Sequence, residues 1–109
     1  ITDDSFISEL KDGKIKNYQV SPKDFGLSYG NFESIKALSP QESFEKVSLA
    51  FSGSEGSVQD MIAINSAAAL KLSGIVGSLK DGVELSKSAM NEGLAQSKLE
   101  SYVKMSNNL

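Results

Sequence analysis

The sequence contains no cysteine, no histidine and no arginine, so all 11 of its basic residues are lysines. Without cysteine, no disulfide bond, thiolate metal site or cysteine nucleophile can form. Without histidine, the side chain best suited to proton transfer near neutral pH is missing. Without arginine, no planar guanidinium can bind a phosphate or carboxylate through two parallel hydrogen bonds. Any chemistry must come from carboxylates, lysines, hydroxyls and backbone amides, which is a poor set for an autonomous enzyme.

Two classes of partner are also disfavoured. A net charge of -3 and scattered lysines argue against nucleic acid, because phosphate neutralisation requires a basic patch. No apolar run reaches membrane-spanning length, and the start at Ile1 lacks the basic and apolar regions of a signal peptide. We therefore expect no nucleic acid, no membrane partner and a cytoplasmic location. A first residue other than Met indicates a segment cut from a longer chain or a processed product.

The composition predicts one globular unit that begins with a β-hairpin. A length of 109 residues, with 39% hydrophobic and 23% charged residues, is typical of a single domain. Two strand-like runs, 5–10 and 15–20, flank the turn signal Asp12-Gly13. The predicted hairpin occupies residues 1–21.

Residues 22–38 are predicted to form a loop. Pro22 has no amide hydrogen to donate, so it ends the strand pairing. Phe25 and Leu27 are expected to anchor the loop in the core, and Asp24 to accept amide hydrogen bonds within the turn.

Residues 39–109 are predicted to form about four helices. The first begins at Ser39, which is followed by proline and, three positions on, by glutamate, and it ends at Gly53. The third begins after Ser78, and Gly93 separates it from the last. The fold class is therefore α+β and mostly helical.

The second predicted helix, from Ser57 to Gly74 with Asp60 as its capping partner, is apolar nearly all round. A helix of this kind is typically buried. Because a lone hairpin is marginal in water, the hairpin and this helix are interpreted as parts of a larger body of sheet and helices. The core candidates among the aromatic residues are Phe6, Phe25, Phe44 and Phe51.

Several stretches, in this order and spacing, resemble the C-terminal region of anthranilate phosphoribosyltransferases. The most family-like are Pro-Lys-Asp-Phe-Gly-Leu at 22–27 and Asn-Ser-Ala-Ala-Ala-Leu at 65–70. The matches cover most of the chain, and the remaining ones are Glu9–Ile15, Tyr18–Ser21, Ser52–Gly56, Asp60, Gly74, Ser78–Leu85 and Gly93–Glu100.

The resemblance implies a fold and a reaction. Members have a small helical domain and a larger α/β domain of the class III, nucleoside phosphorylase-like type. Residues 1–109 would be the C-terminal portion of that α/β (glycosyl transferase family 3-type) domain. The reaction implied is the transfer of phosphoribose from phosphoribosyl pyrophosphate to anthranilate in tryptophan biosynthesis, with Mg²⁺. The resemblance also implies a homodimer formed through the N-terminal domain.

The family's chemical groups are expected outside this segment. Its glycine-rich diphosphate loop and its arginine near the anthranilate carboxylate belong to earlier parts of the chain. Its magnesium-binding Asp-Glu pair is expected a few residues upstream of Ile1, so the segment alone is expected to be inactive. Two alternatives remain open. One is a non-catalytic helical interaction module derived from this fold, and the other is part of a pyrimidine nucleoside phosphorylase, against which the element at 22–27 argues.

Three positions are weighed as sites. Asp3-Asp4 is a carboxylate pair suited to Mg²⁺, but the aligned motif places it after the family's metal ligands, so a solvated lead-in to a strand is preferred. Segment 53–56 is interpreted as a helix cap and connector rather than an anion site, because no basic residue stands nearby. Asn65 falls on the apolar stripe of its helix, and a bond to neighbouring backbone is preferred over a ligand contact. No catalytic, cofactor-binding or metal-ligating residue is assigned.

Overall fold

The structure, a computed structural model, describes all 109 residues as a two-stranded hairpin followed by helices. This confirms the α+β, mostly helical class. None of the helices combines the length and the hydropathy of a membrane-spanning segment. The elements are β1 (Ser5–Lys11), β2 (Lys14–Val20), a 3-10 turn (Pro22–Phe25), α1 (Phe32–Ile35), α2 (Pro40–Phe51), α3 (Ser57–Leu72), α4 (Leu79–Asn91) and α5 (Leu94–Asn107).

The hairpin is antiparallel and turns at the predicted dipeptide. Leu10 pairs with Ile15, and Asp12 and Gly13 have φ values of 52° and 76°. Left-handed conformations at both positions are what a tight two-residue hairpin turn requires, and aspartate followed by glycine tolerates them. The predicted turn is therefore confirmed, and the structure decides the register, in which Ile15 pairs with Leu10 rather than with Ile7, a choice that the sequence left open.

The two faces of the hairpin have different environments. Strand alternation places Ile7, Glu9, Tyr18 and Val20 on one face, where they are half-buried towards the helices. Phe6 lies on the other face and is 84% exposed. The prediction of Phe6 as a core residue is therefore wrong, because the face that it occupies has no covering element.

Residues 22–38 contain more structure than the predicted loop. Pro22 is the first residue of a 3-10 turn. Within this turn Oδ2 of Asp24 accepts the amide hydrogen of Ser21 at 2.8 Å, as expected for this aspartate. Asn31 caps the single turn of α1 by accepting the amide hydrogen of Glu33 at 2.9 Å. The loop prediction is wrong at these two turns, because proline and asparagine side chains stabilise local helical turns too short for a periodic signal.

The core lies between α3 and α4, with the 3-10 turn packed against α4. Ala63 and Ala67 of α3 meet Val83 and Met90 of α4, and Phe25 and Leu27 complete the buried cluster. The loop anchors are thus confirmed. Phe51 packs at the edge of this cluster, whereas Phe44 is 54% exposed, so its assignment to the core is wrong.

The predicted N-cap serines of α2 and α4 are confirmed, but the reciprocal bond expected from Glu42 to the amide of Ser39 is not formed, because the carboxylate of Glu42 accepts the amide hydrogen of Leu38 instead. The hydroxyl of Ser39 accepts the amide hydrogen of Glu42 at 3.1 Å, and that of Ser78 accepts the amide hydrogen of Asp81 at 3.1 Å. The breaks at Gly53 and Gly93 are also confirmed, with φ values of 93° and 81°. Such positive φ values favour glycine because it has no Cβ to clash.

Two expectations for α3 are wrong. The helix begins at Ser57, as predicted, but its N-cap is Gly56, and the expected capping partner, Asp60, forms no cap hydrogen bond and instead pairs with Lys87 of α4 at 2.6 Å. The helix is also not buried all round, since Ala68 and Leu72 are exposed. These apolar side chains face a gap, because the hairpin stands away from α3 instead of packing onto it.

Candidate functional site

A groove of about 420 Å³ lies between the inner face of the hairpin and the helices α3 and α4. Its walls are largely apolar, and its polar lining residues lie both near the base of the hairpin, with Asp3 and Ser21, and near the end of α3, with Glu9 and Lys71. Pro22 and Phe25 of the buried 3-10 turn also line the groove. Its apolar walls include Ile7, Val20, Phe25, Ile64, Ala68 and Leu72.

Three side chains form a polar cluster at the end of the groove. The hydroxyl of Tyr18 donates a hydrogen bond to Oε1 of Glu9 at 3.1 Å. The ammonium of Lys71 lies 3.3 Å from the same carboxylate oxygen. In the strand register Ile7 faces Tyr18, so Glu9 and Tyr18 are diagonal neighbours on one face of the hairpin. Lys71 reaches them from the last turn of α3.

These contacts shift two pKa values in opposite directions. The hydrogen bond from Tyr18, followed by the one from Lys71, lowers the pKa of Glu9 below its ordinary value of 4.5. Burial, followed by the hydrogen bond to Glu9, raises the pKa of Tyr18 above its ordinary value of 10.0. Both shifts favour an ionised Glu9 beside a neutral Tyr18. These are the protonation states in which the hydroxyl of Tyr18 can donate its hydrogen bond to the carboxylate of Glu9.

The lowered pKa of Glu9 predicts an acid-dependent loss of stability. A folded-state pKa below the unfolded value means that ionised Glu9 stabilises the fold above about pH 4.5, and that this contribution is lost as the pH falls through the lowered pKa. We expect the difference in unfolding free energy between the parent and Glu9→Gln to shrink between about pH 7 and about pH 3 in urea titrations. A difference in unfolding free energy that stays constant over this pH range would contradict the lowered pKa of Glu9.

The cluster is absent from the sequence-based site candidates. Strand alternation places Glu9 and Tyr18 on one face, and this signal was available from the sequence. Lys71 is 62 positions from Glu9 in the chain, and no local pattern joins them. The three groups are engaged with one another and hold no free nucleophile or base, so the cluster fits a structural role.

The structure places Asp3 and Asp4 in the lead-in to β1. Oδ1 of Asp3 accepts the amide hydrogen of Asp4 at 2.8 Å. The carboxylate of Asp4 accepts hydrogen bonds from the hydroxyl of Tyr29 and, at 3.0 Å, from the side chain of Gln19. No three acidic, histidine or cysteine side chains gather into a group that could hold a metal ion. Both carboxylates are thus engaged in local hydrogen bonds, as expected for a lead-in to a strand.

The other two candidates lie apart from the polar cluster. Segment 53–56 connects α2 to α3, with Gly53 after the end of one helix and Gly56 at the N-cap of the next. Asn65 borders the groove but is exposed, so the expectation that it is buried is wrong. Its Nδ2 donates to the carbonyl oxygen of Met61 at 2.9 Å, which is the preferred bond to neighbouring backbone.

Comparison with known proteins places this framework in a family. Residues 1–96 match the family described as "Glycosyl transferase family, a/b domain". The chain is 37% identical over 106 residues to the anthranilate phosphoribosyltransferase of Vesicomyosocius okutanii, and 38% identical over 104 residues to that of Neisseria meningitidis serogroup C. These alignments cover 97% and 94% of this chain, but only 31% and 30% of the relatives.

A solved structure shows the same arrangement of elements. The anthranilate phosphoribosyltransferase (TrpD) from Thermus thermophilus superposes with a TM-score of 0.77 at 28% sequence identity. The superposition covers 89% of this chain and 30% of that protein. The chain thus spans about three-tenths of the length of the proteins that it matches, and the predicted resemblance is confirmed. The chain belongs to the glycosyl transferase family that carries this a/b domain.

Proposed function

We propose that these residues are the C-terminal part of an anthranilate phosphoribosyltransferase, which transfers phosphoribose from phosphoribosyl pyrophosphate to anthranilate in tryptophan biosynthesis. The observation that carries the proposal is the 37% identity to such an enzyme over 97% of this chain. The alternatives, an interaction module or part of a pyrimidine nucleoside phosphorylase, are not favoured, because the relatives matched over almost the whole chain bear the transferase name.

In this proposal the segment supplies framework rather than chemistry. Phosphoribosyl transfer depends on stabilising the pyrophosphate leaving group and on positioning two substrates. The segment has no arginine for a phosphate or carboxylate. The two acidic side chains that line its groove are already engaged, Glu9 with Tyr18 and Lys71, and Asp3 with the backbone amide of Asp4. Its contribution is the buried contact between α3 and α4 and the hairpin that stands over α3.

The remaining parts of the proposal concern the whole enzyme. Mg²⁺ would be held by carboxylates upstream of Ile1, since Asp3 and Asp4 are engaged in local hydrogen bonds. When bound, Mg²⁺ would neutralise charge on the pyrophosphate. The family resemblance supports a cytoplasmic enzyme that forms a homodimer through its N-terminal helical domain.

The test is an activity assay on the polypeptide that contains these residues together with the upstream part of its reading frame. With phosphoribosyl pyrophosphate, anthranilate and Mg²⁺, we expect anthranilate to be consumed and pyrophosphate to be released in equal molar amounts. The loss of anthranilate fluorescence measures its consumption. The 109-residue segment alone, as the matched control, is expected to leave anthranilate unchanged. In a second assay with inorganic phosphate and a pyrimidine nucleoside, release of the free base, together with no consumption of anthranilate in the first assay, would instead support the nucleoside phosphorylase alternative.

A further inference from the structure

The lead-in to β1, residues 1–4, is held by the connecting segment, residues 28–36. The amide of Gly30 donates a hydrogen bond to the carbonyl oxygen of Ile1 at 2.9 Å. One position earlier, the hydroxyl of Tyr29 donates to the carboxylate of Asp4. The backbone at the start of the lead-in and the side chain at its end are therefore both bonded to one segment that is distant in sequence.

Gly30 fits into this contact because it has no side chain. A Cβ at this position would lie 2.8 Å from Oγ and 3.1 Å from Cβ of Ser57, the first residue of α3, and 3.3 Å from Cγ1 of Ile1. Gly30 is not among the glycines with positive φ, so space rather than backbone conformation requires a glycine here. The lead-in and the first turn of α3 can approach this closely only with glycine between them.

The connecting segment is itself fixed to two helices. The amide of Asn31 donates to Oγ of Ser57 in α3 at 3.3 Å. Further along the segment, the ammonium of Lys46 in α2 donates to the carbonyl oxygens of Ser34 at 3.0 Å and of Lys36 at 2.6 Å. Because the segment is bound to both helices, a group added at its contact with the lead-in is expected to displace the lead-in.

We propose that Gly30 is a positioning residue, which holds the backbone of Ile1 beside the first turn of α3 and thereby fixes where the chain upstream of Ile1 joins this fold. This inference rests on the proposed function, which assigns the Mg²⁺ carboxylates to that upstream chain. A displacement at Ile1 passes directly to the residues covalently joined to it, and a misplacement of about 1 Å is enough to impair a reactive site. Gly30 acts on the metal site through the backbone, without touching the metal or a substrate.

The proposal is tested by measuring Mn²⁺ binding to the polypeptide that contains these residues together with the upstream part of its reading frame. Mn²⁺ takes oxygen ligands as Mg²⁺ does, and water-proton relaxation reports the ion that is bound to the protein. With phosphoribosyl pyrophosphate present and anthranilate absent, no transfer takes place during the measurement. Gly30→Ala is expected to weaken Mn²⁺ binding about tenfold, as changes to residues that orient metal ligands do. In the transferase assay, the half-saturating Mg²⁺ concentration is expected to rise by a similar factor, with a smaller change in turnover at saturating Mg²⁺.

Two further variants separate positioning from a general loss of structure. Gly77→Ala adds the same methyl group at a position where it meets no atom within 4 Å, and is expected to bind Mn²⁺ as the parent does. Tyr29→Phe removes only the hydrogen bond to Asp4, and is expected to weaken Mn²⁺ binding less than Gly30→Ala does. It decides the question if Gly30→Ala does not fold.

Parent-like Mn²⁺ affinity in a folded Gly30→Ala protein would overturn the proposal, as would parent-like affinity in Tyr29→Phe where Gly30→Ala does not fold. Equal weakening in Gly77→Ala, or a parent that binds no Mn²⁺, would overturn it too. The proposed function fails by a different result, namely a parent that binds Mn²⁺ but consumes no anthranilate.

Discussion

Replacing Gly82 with alanine is expected to lower the free energy of unfolding by about 2 kcal/mol, although alanine is the better helix former by about 1 kcal/mol. A Cβ at this position would lie 2.7 Å from both Cα and Cβ of Ala67. The obstacle includes the backbone of α3, which cannot rotate away as a long side chain can. The α3 and α4 helices would have to separate, and their contact contains most of the buried core.

The measurement is urea unfolding followed by circular dichroism, with Gly77→Ala as the matched control. A methyl group at Gly77 would have no neighbouring atom within 4 Å, and Gly77 is not among the glycines with positive φ. Its replacement is therefore expected to change stability by less than about 0.5 kcal/mol. Adding Ala67→Gly to Gly82→Ala removes the clash with the methyl group of Ala67 but not the clash with its backbone, so partial recovery is expected. A Gly82→Ala protein as stable as the parent would contradict the described helix crossing.

Replacing Phe25 with alanine is expected to lower the free energy of unfolding by about 3 to 4 kcal/mol, within the range for removing a phenyl ring from a core. Phe25 is only 9% exposed and belongs to the buried cluster that includes Val83 and Met90. Its ring also anchors the 3-10 turn from which the hairpin departs. The loss therefore combines a cavity in the core with a weaker attachment of the hairpin.

Phe6→Ala removes the same atoms from a position that is 84% exposed, and serves as the matched control. Urea unfolding of the 109-residue chain is expected to show a change of less than about 0.5 kcal/mol for this variant. Similar losses for Phe6→Ala and Phe25→Ala would mean that the outer face of the hairpin is packed. That result would contradict the exposure of Phe6.

The correct sequence-based predictions depend on residues that are close together in the chain. Asp12-Gly13 determines the turn because both residues tolerate a left-handed backbone, and two adjacent residues are sufficient to define it. Ser39 and Ser78 determine helix starts because each hydroxyl reaches an amide only three residues away. The resemblance at 22–27 and 65–70 likewise rests on short contiguous elements, and it identified the family before any tertiary contact was known.

The predictions that failed concern burial and long-range pairing. An apolar face indicates that a residue is suited to burial, but Phe6, Phe44 and Leu72 are exposed because no element of the described chain covers them. The apolar stripe also predicts burial of Asn65, which is exposed. Local spacing predicts a capping role for Asp60, whereas its ion pair with Lys87 depends on how α3 and α4 cross.

Gln59 has a structural role that follows from helix packing and that its position in the sequence does not predict. It is almost fully buried in α3, and its amide donates to the carbonyl of Ala50 in α2 at 3.2 Å and to the side chain of Asn91 in α4 at 3.0 Å. Three helices are joined through one side chain. No periodicity in the sequence singled out this glutamine, because its partners are 9 and 32 positions away.

The sequence by itself determined the fold class, the hairpin turn, the helix caps and the family, because backbone conformation and capping are decided among near neighbours in the chain. Only the tertiary structure decided that Glu9, Tyr18 and Lys71 meet, that Gly82 lies against Ala67, and that a groove separates the hairpin from α3. These features depend on the relative positions of whole elements. Those positions follow from which apolar surfaces pack together, and such packing involves residues far apart in sequence.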